Sequence, residues 1–205
     1  MQILRLNVIK IIIPLVYLFS IGCKDISKSN EDIETHAIVS LLIDKYAKPI
    51  VPPPSPNLSD STFNAKSDSI KKILENKDYL NLPLIVCIDT ILTPFRGKIE
   101  DISNFNTILT KLDKLESNKI LNINKIEPTR KVQIHSFNTN VDDFKKNEID
   151  MILSFSNIAY NENITEAALI FGLSRGRLSG FTSLIILKKN KGKWEIILTK
   201  NLSIS

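Results

Sequence analysis

Apolar residues recur at two different periods along this chain, a helical one mostly in its first part and a strand-like one in its last. Over residues 31–46, Ile38, Leu41, Leu42 and Tyr46 fall on one stripe, the spacing of an amphipathic helix. Glu31, Asp32 and Glu34 fill its first turn, where acids suit the positive end of the helix dipole. Ser29 or Asn30 serves as its cap, and Pro49 stops it. The same spacing predicts a second helix over about 68–77, with Ile70, Ile73 and Leu74 on one side. A third opens at Asp101 or Ser103 and reaches about Ser117, with Phe105, Leu109 and Leu112 among its apolar positions. Between these helices, residues 82–92 are short and rich in Ile and Val, which predicts a buried strand. Residues 131–137 read as a short strand, and 118–129 show no clear period.

After residue 149 the runs become strand-like, over 149–160, 165–174, 178–188 and 193–199. Asn161-Glu162-Asn163 and Asn190-Lys191-Gly192 between them have turn chemistry. Connections this short make neighbouring strands antiparallel, so a four-strand C-terminal meander is predicted. Helices first and strands last give an α+β fold, with N-terminal helices packed on an antiparallel sheet. Residues 31–205 are read as a single domain, carrying a proline-rich spacer over 49–57 in polyproline II conformation.

The first residues show a different pattern. Arg5 and Lys10 precede an apolar run over 11–21 that ends in Ser20-Ile21-Gly22-Cys23. A charged start, a short apolar run and a small residue before the cut make a secretory signal over residues 1–22. A membrane-spanning helix needs about 20 apolar residues, and only about 12, with Pro14 among them, lie between Lys10 and Cys23. Ordinary cleavage near Gly22, leaving Cys23 as a thiol, is the other alternative. With a cysteine directly after the small residue, the segment resembles a bacterial lipoprotein signal. The resemblance implies a diacylglyceryl group on Cys23, a polar tether over 23–30 and an anchor of more than one acyl chain, as stable attachment requires. It also implies the bacterial cell envelope, with outer-membrane placement preferred because Lys24-Asp25 lacks an aspartate directly after the cysteine.

Composition narrows the partners. The formal charge is +5, and falls to +3 without Arg5 and Lys10. The excess is lysine spread along the chain, not the clustered footprint of a nucleic-acid binder, so no nucleic acid is expected. The other cysteine, Cys87, lies in the apolar run Leu84-Ile85-Val86-Cys87-Ile88 and reads as a small core residue. His36 and His135 are far apart, with no H-E-x-x-H and no cysteine pair. Neither a metal nor a cofactor is expected.

The tail carries a second resemblance, on Leu153-Ser-Phe-Ser-Asn-Ile-Ala-Tyr-Asn161, Thr165-Glu-Ala-Ala-Leu169, Gly180-Phe-Thr-Ser183 and Leu187-Lys-Lys-Asn-Lys-Gly-Lys-Trp194. These runs are similar to a C-terminal pattern of uncharacterised secreted or lipid-anchored bacterial proteins. The hairpin before Trp194 more loosely resembles the closing strands of nuclear-transport-factor-like and cystatin-like sheets. Where such relatives often carry cysteines, this chain has Arg175, Arg177 and Ser179. The pattern is structural, and it implies no function.

Candidate chemistry is sparse. Gly172-Leu-Ser174-Arg-Gly176 has the letters of a nucleophile elbow, yet both histidines precede Ser174, and residues 178–186 read as strand where the elbow needs a helix. His36 reads as a solvated residue beside Glu34. His135 alternates with apolar neighbours in Val132-Gln-Ile-His-Ser-Phe and is the best single polar candidate. Arg175 and Arg177, flanking a glycine, could fork a phosphate or carboxylate. Asp89 and Arg96 border the buried strand as cleft-lining residues. The reading is a lipid-anchored envelope protein, held to the membrane by its N-terminal lipid. It would bind an envelope protein or small ligand without covalent chemistry. The alternative is an envelope hydrolase whose site assembles in a sheet–helix cleft.

Overall fold

The structure, a computed structural model, describes residues 30–49, 82–99, 102–137, 149–175 and 179–204. The chain divides into two compact units, Met1–Thr35 and His36–Ser205. Cys23, the expected helix over 68–77, nearly all of the proline-rich spacer and Arg177 lie outside the described residues.

The fold is α+β, with one seven-stranded mixed sheet. In chain order the second unit carries β1 (Leu84–Ile88), β2 (Ile91–Leu92), β3 (Lys119–Ile120), β4 (Val132–Ser136), β5 (Met151–Phe155) and β6 (Ala159–Tyr160). The long strands β7 (Glu166–Ser174), β8 (Gly180–Asn190) and β9 (Lys193–Ile204) close it. Helix α1 covers residues 30–46 and α2 covers Asn106–Asp113. A 3₁₀ turn, Ile123–Lys125, lies between β3 and β4. The sheet runs β4-β1-β5-β7-β8-β9, with β6 also on β7, while β2 and β3 form a separate pair.

The C-terminal strands pair antiparallel: β5 and β6 with β7, β7 with β8, and β8 with β9. The expectation of an antiparallel sheet throughout is corrected at β1, which lies parallel to both β4 and β5. Parallel neighbours need long connections; those between β1, β4 and β5 are long, so sequence adjacency does not set their direction. The apolar run of β1 is what a strand with neighbours on both edges requires. Helix α2 is also shorter than expected. Phe105 stands at its N-terminus without a side-chain cap, and Asn106 instead uses its side-chain oxygen to accept from the amide of Ile102 at 3.1 Å.

A break and a tight turn shape the sheet. The expected single strand over 149–160 breaks between β5 and β6, where residues 156–158 oppose only Leu169 and Ile170 of β7. The Ser156 hydroxyl accepts from the amide of Ile170 at 2.8 Å and donates to the carbonyl of Asn157 at 2.8 Å. A side chain thus supplies a ladder bond that the bulged backbone does not. The β8–β9 hairpin closes through Lys191 (φ 48°) and Gly192 (φ 80°), the two positive-φ positions of a type I′ turn.

Alternation along β7 divides the core in two. Ala167, Leu169, Phe171 and Leu173 belong to the larger cluster, with Leu84, Val86, Ile88, Met151 and Leu153. Ile38, Val39, Leu42, Ile43 and Ala47 are in the same cluster. Ala168 and Ile170 point the other way, into a smaller cluster with Ile108, Leu109, Leu112, Leu184 and Ile186. Phe171 is fully buried, its ring 4.8 Å from Tyr46, 5.6 Å from Phe155 and 5.9 Å from Phe181. Phe171→Ala is expected to cost about 3–5 kcal/mol, read as a lowered midpoint in urea unfolding with the slope unchanged.

Candidate functional site

A concavity lies between α2 and the loop after β2. It encloses about 540 Å³ and is lined by Arg96, Gly97, Lys98, Ile99, Asn106, Leu109, Thr110 and Asp113. Helical spacing explains its composition. Asn106, Thr110 and Asp113 stand one turn apart on the face of α2 away from Ile108 and Leu112, which are buried in the smaller core. Leu109, itself buried, and the partly buried Ile99 give the cleft an apolar floor.

The opposite wall is cationic and exposed, with Arg96 and Lys98 on either side of Gly97. The Phe95 ring lies so close to Gly97 that a Cβ there would stand 2.3 Å from its ring tip, and Phe95 packs on the smaller core. Glycine therefore lets the loop close down on the ring and turn Arg96 and Lys98 outward. The result is a polar cleft with a guanidinium and an ammonium on one wall. The other wall offers a carboxylate at Asp113 and hydrogen-bonding groups at Asn106 and Thr110. The cleft suits reversible binding of a small polar molecule bearing an acidic group.

Of the candidate site residues read from the sequence, Arg96 alone among those described lines this cleft. Asp89 has a local task, its carboxylate accepting from the amide of Ile91 at 3.0 Å at the β1–β2 turn. His135 is exposed on β4, in register with the buried Cys87 of β1. Ser174 ends strand β7, and its continuation is the antiparallel partner β8, not the helix a nucleophile elbow needs. The expectation of a solvated His36 is corrected, since it is buried. Its carbonyl accepts from the Ser40 hydroxyl at 2.8 Å, and that hydroxyl accepts in turn from the amide of Glu127 at 2.9 Å.

Arg175 has its guanidinium spent within the fold. It donates to the carbonyls of Lys48 at 2.7 Å and Tyr46 at 3.1 Å, at the end of α1, where carbonyls have no helical partner and a cation suits the dipole. Burial pushes the Arg175 guanidinium below its ordinary value, and the Asp150 charge pulls it partly back. Among the described residues, no group of three or more His, Cys, Asp or Glu is placed to hold a metal ion. No described helix is long and apolar enough to cross a membrane.

Sequence reasoning missed Lys98, Asn106, Thr110 and Asp113. The polar spacing 106, 110, 113 on a predicted helix was the available signal, but nothing local tied that face to the loop carrying Arg96. No protein family, no curated protein and no solved structure matches this chain.

Arg175→Ala removes both donors from the end of α1 and is expected to cost roughly 1–3 kcal/mol. The check is chemical denaturation beside Arg175→Lys, which keeps the charge but not the two-pronged geometry and should recover only part of the loss.

Proposed function

We propose that the chain is a lipid-anchored protein of the bacterial envelope that binds a small polar ligand by non-covalent contact in the cleft between α2 and the 95–99 loop. The observation that carries the binding reading is the make-up of that cleft. Its volume of about 540 Å³ is in the range of small-molecule sites, roughly 300–1,000 Å³. Arg96 and Lys98 would hold an acidic group, Asp113 a hydroxyl or amine, and Leu109 with Ile99 an apolar surface. The anchor rests on Ser20-Ile21-Gly22-Cys23 alone. The same reading keeps the N-terminal helices, including the one expected over 68–77, as a layer covering the sheet.

Two measurements test the two halves separately. In a bacterial host, wild type should yield a chain that starts at Cys23, carries a lipid adduct and enters the detergent phase. Cys23→Ala should lose both the adduct and the partitioning; an unmodified, water-soluble wild type overturns the anchor. For the cleft, calorimetric titration with a panel of amino acids, hydroxy acids and sugar phosphates should find a binder. The exposed pair Arg96→Ala/Lys98→Ala should weaken it about tenfold or more, near 1.4 kcal/mol, while changing stability by only about 0.5 kcal/mol. Equal affinity in the double variant would move the binding elsewhere.

A further inference from the structure

A second, independent feature lies where the loop after the 3₁₀ turn is fastened to α1. The fastening is complete at the backbone. The Asp44 carboxylate accepts from the amide of Thr129 at 3.1 Å and its hydroxyl at 2.9 Å through Oδ2, and from the amide of Arg130 at 2.9 Å through Oδ1. Both oxygens of this acid are thereby engaged by the loop's own main chain and the Thr129 hydroxyl.

The Arg130 guanidinium is in a different position. Its Nε and Nη2 atoms are shielded from solvent and have no hydrogen-bond partner among the described residues. These two atoms share one edge of the planar group. Their N–H bonds run side by side, the fork that receives two oxygens of a carboxylate or phosphate at once. The side chain as a whole is half-buried, but this edge of it is dry, and donors taken out of water without an acceptor are costly. Nothing comparable holds for Arg175, whose donors reach two carbonyls.

We propose that the Nε–Nη2 edge of Arg130 is a binding position for a small oxyanion, a phosphate or a carboxylate, seated beside the α1–loop junction. Occupancy stabilises the folded state by mass action. Arginine is required there for shape as well as charge, since lysine offers no planar fork.

The test is thermal unfolding of wild type, Arg130→Met and Arg130→Lys in increasing phosphate against chloride at matched ionic strength, repeated with acetate. Phosphate stabilises proteins non-specifically by exclusion from their surface, and Arg130→Met supplies that baseline. Wild type should show a saturable rise of about 2–4 °C above it. Arg130→Met should melt no lower than wild type in chloride, and Arg130→Lys should lose most of the rise. The Arg96→Ala/Lys98→Ala variant should keep the full rise, which separates this position from the α2 cleft. A carboxylate source is indicated if acetate reproduces the effect at lower concentration than phosphate, and a phosphate source if the order is reversed. The proposal is overturned if wild type responds no more than Arg130→Met. It is also overturned if Arg130→Met is markedly less stable than wild type in chloride, since the fork would then already have a partner.

Discussion

Strand β7 is the constraint on which the rest of the sheet depends. It carries β5 and β6 on one edge and β8 on the other, and from Ala167 to Phe171 every side chain is buried. A strand in that position has no solvent face to give away, so its two residue sets must each find a separate apolar partner. Ala167, Leu169, Phe171 and Leu173 do so in the larger core, and Ala168 and Ile170 in the smaller one. The small alanines on successive positions leave room for Tyr160 and Trp194 on one side and for α2 on the other. Gly172 then ends the apolar run on the second face, because a Cβ there would stand 2.3 Å from the Ser154 hydroxyl. Past that point the same face becomes polar, with Ser154, Gly172, Thr182 and Ser203 in register across four strands. The position of the smaller core, and so of α2 and its cleft, is set by where β7 stops being apolar.

Much of this was legible because the signals are local. The hairpin Asn190–Lys193 announces itself through Lys191-Gly192, and the ends of β7 and β8 fall close to where alternation and turn residues put them. The parallel placement of β1 was not legible, since the direction of a strand with distant neighbours is set by chain crossing and not by its own residues. The break at 156–158 was hidden for a different reason. Ser156 and Asn157 look like ordinary polar punctuation, yet Asn157 is fully buried and donates its side-chain amide to the carbonyl of Ser117 at 2.8 Å. Its main-chain amide donates to the carbonyl of Thr93 at 2.8 Å. Only the tertiary structure shows that a polar pair in a strand is a joint between segments 40 and more residues apart.

The candidate cleft was half legible. Arg96 stood out as a charge at the border of a buried strand, and its counterpart face on α2 was visible as polar helical spacing. What joins them is Phe95, whose ring lies against Gly97 and packs on the smaller core with Leu109 and Leu112. That contact has no signature in a single sequence, because a phenylalanine two residues before a glycine is commonplace. The two arginines that looked like a ready anion fork, Arg175 and Arg177, flank a glycine in sequence, but Arg175 turns its donors inward to the end of α1.

Arginine therefore carries the sharpest contrast in the molecule. At Arg175 a half-buried guanidinium meets two carbonyls at a helix end, so charge, hydrogen bonds and dipole all favour one arrangement, and the residue is consumed by the fold. At Arg130 the acid that might have answered the charge, Asp44, instead holds the backbone on which Arg130 sits. The loop is thereby positioned with its guanidinium edge still to be met. A position that had only to hold the loop against α1 would be served as well by an apolar side chain, because Asp44 bonds to the main chain and is indifferent to what projects from it. Two dry, unanswered donors on a forked edge bring no structural return at such a junction, and a ligand oxyanion is the partner whose geometry the fork matches.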